Sequence, residues 1–233
     1  MKDIDIYAPA DKAIQTMNRD MIRDFGKLKL AKFDELHLIR TVTEVYRQQA
    51  KKAEQRFYEV GFEAYLLGLY LCGIEGLKAH RMAEKAITPE WVRAQLEETN
   101  LVTLYRFDTE TERKAQRLTE TLAATAEVRE QNGSISGGGG KLNATAVGPD
   151  AEIDRAVRAW SKQVGQYALG ITDAAVMEAY DDAEVEKAQW ASEKDNRVCT
   201  ECHRLDGQIF LLSDVPVKPH WGCRCRVIPV RGT

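Results

Sequence analysis

The chemistry of this chain is concentrated in two short stretches, Cys199-Thr-Glu-Cys202 and His220-Trp-Gly-Cys223-Arg-Cys225. Together they hold four of the five cysteines of the 233-residue chain, and the rest of the sequence is charged and helical in composition. A tetrahedral zinc site takes two ligands from one tight turn and two from a second turn brought alongside it. The spacing therefore predicts a metal site built from Cys199, Cys202, His220, Cys223 and Cys225.

These five residues are one more than a tetrahedral site needs. Cys199 and Cys202 supply the first pair, and the other three compete for the second, so one of them is surplus. Because every ligand would be a protein side chain, we expect a closed structural site that stabilises the fold. Reduced packing thiols, disulfides formed after release from the cell, and a redox or catalytic role are the alternatives. An odd cysteine count and the lack of a signal peptide favour reduced thiols over disulfides.

A β-hairpin is predicted between the two ligand stretches. Asp206-Gly207 is a strong turn signal, and the apolar run Ile209-Phe-Leu-Leu212 follows it as a strand. Arg226-Val-Ile-Pro229 predicts a final strand that pairs with this hairpin. The hairpin would fold the second ligand stretch back onto the first. Before the cysteines we expect a short helix that reaches Trp190.

The same region resembles the C-terminal domain of the phage Mu protein F-like family of head morphogenesis proteins. The resemblance covers roughly residues 150–230 and rests on several spaced elements in the same order. The family form H-P-N-C-R-C has Pro-Asn where this chain has Trp221-Gly222, which leaves the ligand spacing unchanged. The matching elements are Trp190, Asp195, Val198-Cys199, Cys202, Leu205-Asp206-Gly207, Pro219 and His220 through Cys225.

The resemblance implies a phage minor head protein that associates with the portal vertex and acts in capsid assembly, genome packaging or delivery. It implies a virion location, in the capsid interior or at the portal, after synthesis in the cytoplasm of the bacterial host. The portal protein would be the main partner, with a major capsid or scaffold protein and phage DNA as further partners, in an assembly that could be oligomeric. We expect no enzyme, because no catalytic constellation stands out. The alternative is a zinc-knuckle adaptor for nucleic acid or protein in a bacterial cell.

The charge of the chain limits the expected contact with DNA. Charged residues make up 30 % of the sequence with a net charge of −3, whereas nucleic-acid domains usually carry a basic excess. Acidic residues such as Glu201 and Asp206 also lie near the cysteines. The arginines around the metal knuckle would be the natural DNA contacts: Arg197, Arg204, Arg224 and Arg226.

The N-terminal region, residues 1–131, is predicted to be helical. From Phe33, apolar residues follow one another three and four apart and predict one long amphipathic helix that ends near Leu71. Thr88-Pro89 predicts a further helix start, and Asp108 begins a helix that runs to about Gln131. The long apolar stripe is interpreted first as the core of a helical bundle and second as a docking face. The candidate docking residues are Ile39, Val42, Tyr46, Phe57, Val60 and Leu67.

The segment 132–148 is rich in glycine, serine and asparagine and predicts a flexible linker. A second apolar stripe from Pro149 then predicts a helix that opens a C-terminal domain, residues 149–233.

The uncharged run 64–74 is too short for a membrane span, which needs ~20 residues. The predicted fold class is mainly α, with long amphipathic helices and a small C-terminal cysteine/histidine-stapled β-hairpin element (α+β).

Overall fold

The computed structural model describes residues 4–27, 35–98, 106–133, 149–193, 198–220 and 222–230. Within these ranges the chain forms seven α-helices and one small antiparallel sheet, so the predicted mainly helical fold class is confirmed. The helices are α1 (Ala8–Gly26), α2 (Glu35–Leu71), α3 (Gly76–Ala86), α4 (Pro89–Glu97), α5 (Phe107–Gly133), α6 (Pro149–Asp182) and α7 (Thr200–Leu205). None of them, in the part of the chain that is described, is long and apolar enough to cross a membrane.

The chain divides into two compact units by its contacts. One unit takes residues 1–15, 54–106 and 164–233, and the other takes residues 16–53 and 107–163. The predicted linker, 132–148, lies outside the described residues from position 134 onward. Its first two residues belong to the end of α5.

The predicted long helix is confirmed as α2, and its apolar stripe packs inside the chain. Among the candidate docking residues, Val42, Tyr46, Phe57 and Val60 are all buried. Leu67 is partly buried, and Ile39 keeps 38 % of its surface exposed. In the chain by itself, the stripe therefore serves mainly as helical core, which was the first interpretation of the periodicity.

Helix packing in the first unit depends on a close approach of α2 to α6. Gly68 of α2 faces Ala179 of α6, and a Cβ added at Gly68 would lie 2.7 Å from the Ala179 Cβ atom.

The start of α4 follows the sequence signal, because the Thr88 hydroxyl accepts a hydrogen bond from the Trp91 N–H at 3.1 Å. Capping of this kind satisfies one of the free N–H groups of the first helical turn.

The second unit is held by aromatic packing and by one partly buried carboxylate, that of Asp24. The Tyr46 ring meets Phe25 edge-on at a centroid distance of 5.8 Å and Trp160 at 5.9 Å. Asp24 accepts hydrogen bonds from the side chains of Gln49 (2.6 Å) and Lys52 (3.0 Å). These contacts join α1, α2 and α6 within this unit.

The sheet has three strands in the order β2-β1-β3, namely Ile209–Leu211, Lys187–Ala191 and Arg226–Pro229. The expected strand after Asp206-Gly207 is confirmed as β2. The expected helix up to Trp190 is wrong, because this residue lies on β1, the central strand. The final strand β3 pairs with β1 and not with β2.

The predicted hairpin turn is also corrected. Asp206-Gly207 joins α7 to β2 and does not join two strands. Gly207 adopts a φ of +79°, which favours glycine, and its N–H donates to the Trp190 carbonyl oxygen at 2.8 Å. The turn signal was correct, but a one-and-a-half-turn helix that carries Cys202 occupies the position where the first hairpin strand was expected.

Candidate metal centre

The two predicted ligand stretches meet beside the sheet. Cys199 is the N-cap of α7, and its Sγ atom accepts a hydrogen bond from the Cys202 N–H at 3.4 Å. The second stretch lies in the irregular segment that leads into β3. All five cysteines of the chain are free, so the predicted ligands are thiols and not disulfides.

The donor atoms form two overlapping groups that share Cys202. One group is Cys199, Cys202 and His220, and the other is Cys202, Cys223 and Cys225; within each, the donor atoms lie within 4.8 Å of one another. The Cys202 Sγ atom lies 3.5 Å from Cys223 Sγ and 3.9 Å from His220 Nε2. All five predicted ligands therefore come together, and Cys202 is at their centre.

These distances fit a tetrahedral ion. Zinc–sulfur bonds of about 2.3 Å place two sulfur ligands roughly 3.8 Å apart, close to the separation of Cys202 and Cys223. A disulfide would bring the two sulfurs to about 2.0 Å. The donor set of thiols and imidazole is the set that zinc prefers in structural sites.

The electrostatics of the thiols also fit a cation. Burial raises the pKa of Cys202, and hydrogen bonds with the neighbouring thiols raise it further. Burial likewise raises the pKa of Cys223. Hydrogen bonding from the Cys202 backbone N–H instead lowers the pKa of Cys199. Several thiolates so close together would repel one another, and a divalent cation bound among them would offset that repulsion.

Three residues from separate parts of the sequence position the second ligand stretch. The Lys218 ammonium donates to the Asp173 carboxylate at 2.8 Å, to the Cys223 carbonyl oxygen at 3.2 Å and to the Tyr7 hydroxyl. The Tyr7 hydroxyl oxygen lies 2.7 Å from Asp173 Oδ1 and 3.1 Å from the Cys225 carbonyl oxygen. Burial raises the pKa of both Tyr7 and Asp173. Two cysteine carbonyl groups are thus held by one partly buried network.

Sequence reasoning missed this network. Tyr7 and Asp173 lie far from the cysteines along the chain, and neither has a motif that links it to them. Only Lys218 adjoins a ligand stretch, where its neighbours gave no signal of a hydrogen-bond role. The contact is tertiary, so spacing in the sequence does not reveal it.

The Leu205-Asp206-Gly207 element has a structural role in the same region. Leu205 is 3 % exposed and packs with Cys202, Cys223 and Trp190. The Asp206 carboxylate accepts a hydrogen bond from the Ser192 N–H at 2.8 Å and so ties the end of β1 to α7. The element therefore fixes α7, and with it Cys202, against the sheet.

A mostly apolar pocket of about 380 Å³ adjoins the cluster. Its wall includes Lys218, His220, Cys223 and Trp190. Trp190 is 1 % exposed and packs against the cysteines. The pocket therefore reaches two of the predicted ligands, His220 and Cys223.

The predicted DNA-contacting arginines are placed differently from one another. Arg224 donates two hydrogen bonds of 2.9 Å to the Asp11 carboxylate. Arg226 donates to the Ile4 carbonyl oxygen at 2.7 Å. Arg204 is exposed on α7 and pairs with Glu201. Arg197 lies outside the described residues.

The fold and the cluster define a class of protein: a mainly helical chain with a small antiparallel sheet beside a cysteine/histidine cluster that could hold a metal ion. Residues 132–228 match the family described as Phage Mu protein F like protein. This match confirms the resemblance, and it covers α6, α7, both ligand stretches and nearly all of the sheet. A comparison with curated proteins and a comparison with solved structures each find no match.

Proposed function

We propose that the chain is a phage minor head protein that associates with the portal vertex and acts in capsid assembly, genome packaging or genome delivery. The observation that carries the proposal is the family match over residues 132–228, which includes the assembled cysteine/histidine cluster. The role is structural and not enzymatic, and the location is the virion. The portal protein is the proposed partner, with a capsid or scaffold protein as a second one.

Zinc is the metal proposed for the cluster. Cys202 would be a ligand in either donor group, and three of the other four predicted residues would complete a tetrahedral site. The bound ion would cross-link the N-terminus of α7 to the segment before β3, two parts of the chain that no backbone hydrogen bond between described residues joins. Such a cross-link would keep the C-terminal lobe, made of the sheet, α7 and the two ligand stretches, rigid for docking against another protein.

DNA contact is the weaker part of the functional hypothesis, so it is left out of the proposal. Arg224 and Arg226 already bond to acceptors in the N-terminal segment, on Asp11 and Ile4. Arg204 lies beside the carboxylate of Glu201. A DNA phosphate would have to compete with these partners.

The test is a stop codon in the gene within the phage or prophage that encodes the chain. We expect a sharp drop in infectious particles, restored by a plasmid copy of the wild type or of Cys72→Ser. A copy with Cys202→Ser should fail to restore them. Mass spectrometry of purified wild-type particles should find the chain, and chemical cross-linking should join it to the portal protein.

Two results would count against the proposal. One is a normal yield of infectious particles without the gene product. The other is a chain that is absent from purified particles and instead found in the cytosol bound to nucleic acid or to a cellular protein, which would favour the adaptor hypothesis.

A further inference from the structure

The strand β2 forms one edge of the sheet, and among the described residues its outer row of backbone groups pairs with no other strand. Its middle residue, Phe210, is paired with Ala188 of β1. On either side of this pair, the Trp190 N–H donates to the Gln208 carbonyl and the Leu212 N–H donates to the Glu186 carbonyl. Phe210 and Ala188 are therefore a hydrogen-bonded pair of the ladder. Because bonded and non-bonded pairs alternate in an antiparallel ladder, the N–H and C=O groups of Ile209 and Leu211 point away from β1.

The same two residues expose large apolar side chains. Ile209 is 55 % exposed and Leu211 is 51 % exposed, on one face of the strand. Natural proteins usually protect an edge strand with a charged residue, a proline or a covering element, because a bare edge pairs readily with another extended chain. β2 contains neither a charged residue nor a proline. Lys187 lies opposite Leu211, on the neighbouring strand β1.

An open groove of about 590 Å³ continues from the end of β2. Its apolar floor includes Leu211, Leu212, Met177 and Val185. Its other lining residues include three carboxylates and, among the described residues, no lysine or arginine; the carboxylates are those of Glu178, Asp181 and Glu186.

These carboxylates have no ion-pair partner within the described part of the chain. Partial burial and the nearby charges of Asp182 and Asp181 raise the pKa of Glu178. A groove with an apolar floor and unpaired acids is complementary to a segment that carries apolar and basic side chains together.

We propose that β2 is a docking edge for an extended segment of a partner protein in which apolar and basic residues alternate. The outward N–H and C=O groups of Ile209 and Leu211 would form the backbone hydrogen bonds of an added fourth strand. Apolar side chains of the partner would cover these two residues, and its basic side chains would meet the carboxylates of the groove. The inference rests on the geometry of the edge strand and not on the proposed head function.

The probe is a fluorescent peptide, acetyl-Lys-Val-Lys-Val-Lys-Val-Lys-amide, measured by fluorescence anisotropy against the full chain. The main variant is Leu211→Pro. Leu211 has a φ of −60°, which proline adopts without strain, and its N–H points outward, so the substitution removes one edge donor. Leu211→Ala is the matched control, because it shortens the side chain and keeps the N–H group.

We expect the wild type to bind the peptide and Leu211→Pro to bind it roughly three- to tenfold more weakly than Leu211→Ala, as for one lost hydrogen bond. A peptide N-methylated on its valines should lose binding to the wild type, because it has the same side chains and charge but lacks those N–H donors. The same peptide with glutamate in place of each lysine should not bind, because its charge is that of the groove.

Any of three results would overturn the proposal. The first is no binding of the lysine peptide to the wild type. The second is equal binding of the N-methylated peptide, which would show charge attraction without strand addition. The third is a wild-type dimer that Leu211→Pro converts to a monomer, which would show that a second copy of the chain occupies the edge.

Discussion

Two buried clusters of the same unit differ in what holds them together. The helical cluster contains twelve buried residues from several helices and the N-terminal segment, among them Tyr65, Leu69 and Tyr180, and sixteen partly buried apolar residues pack against it. The cluster beside the sheet contains five buried residues, Trp190, Cys202, Leu205, Cys223 and Cys225, of which three are cysteines. One region has an ordinary hydrophobic core, and in the other the candidate ligands themselves form most of the core.

The comparison indicates different sources of stability. Burial of apolar surface stabilises a structure by roughly 25 cal/mol per Å², so a large cluster of helices can be stable without a cross-link. A lobe with five buried residues and three strands of three to five residues buries too little surface to be stable in the same way. We therefore expect the lobe to depend on the metal and the helical core to depend on close packing.

The largest expected effect is that of Cys202→Ser, because this residue belongs to both donor groups. Structural zinc contributes roughly 10–16 kcal/mol in zinc-finger peptides, so loss of a shared ligand should unfold the lobe. Elemental analysis should find about one zinc per wild-type chain and almost none in the variant. Far-ultraviolet circular dichroism should show that the helices persist, and limited proteolysis should cut the variant near Lys218.

Cys72→Ser is the matched control, because Cys72 lies at the end of α2 and packs against the helical cluster. It should keep its zinc and change stability by about 1 kcal/mol or less. The proposed dependence of the lobe on a metal would be contradicted if Cys202→Ser kept both the metal and its protection from protease. It would also be contradicted if Cys72→Ser lost as much zinc as Cys202→Ser.

A smaller effect is expected for Gly68→Ala in the helical core. The new Cβ would lie 2.7 Å from Ala179 Cβ, so α2 and α6 would have to move apart. Overpacking costs ~1–3 kcal/mol, more than the gain of ~1 kcal/mol from replacing a helical glycine by alanine. Thermal or urea unfolding should show this loss, while the zinc content stays unchanged.

Two further variants sharpen that experiment. Adding Ala179→Gly removes the clashing atom, so a double-mutant cycle should give a favourable coupling of roughly 1–2 kcal/mol. Gly170→Ala is the control, because no atom lies within 4 Å of its added Cβ. It should leave stability unchanged or raise it by up to ~1 kcal/mol. Equal losses in Gly68→Ala and Gly170→Ala would contradict the close approach.

The sequence predicted the long helices and the meeting of the cysteines with His220 for physical reasons. Apolar residues at helical spacing recur without a break along α2, and Thr88-Pro89 combines a capping hydroxyl with a residue suited to the first helical turn. The cysteine spacing reflects the short reach of a thiol, so both ligand stretches could be identified from the chain alone.

The central strand and the supporting contacts could not be predicted in the same way. β1 reads Lys-Ala-Gln-Trp-Ala, a sequence with little β propensity, and it is a strand because β2 and β3 pair with it on both sides. Tyr7, Asp173 and Lys218 meet only after the chain folds. Pairing and packing partners of this kind are tertiary information.

The smallest expected effect concerns the attachment of the lobe to the N-terminal segment. Arg224 forms a two-pronged ion pair with Asp11, and both side chains are partly exposed, at 32 % and 40 %. A hydrogen bond to Asp11 raises the pKa of Arg224, in keeping with a favourable pair. Screening by solvent limits the contribution, so Arg224→Gln should lower the free energy of unfolding by only about 0.5–1 kcal/mol.

Arg204→Gln is the control for this pair, because Arg204 bonds to Glu201 on the same exposed helix, where solvent screens the pair, and the substitution should leave the free energy of unfolding unchanged. The charge swap that combines Asp11→Arg with Arg224→Asp should recover part of the loss. Hydrogen exchange at residues 8–11 should rise in Arg224→Gln and fall again in the swap. If Arg224→Gln instead kept wild-type stability and weakened retention of DNA on a heparin-competed filter assay, Arg224 would be the DNA contact that the sequence suggested. The Arg224–Asp11 pair would then contribute nothing to the stability of the lobe, and the contrast between the two clusters would be sharper still.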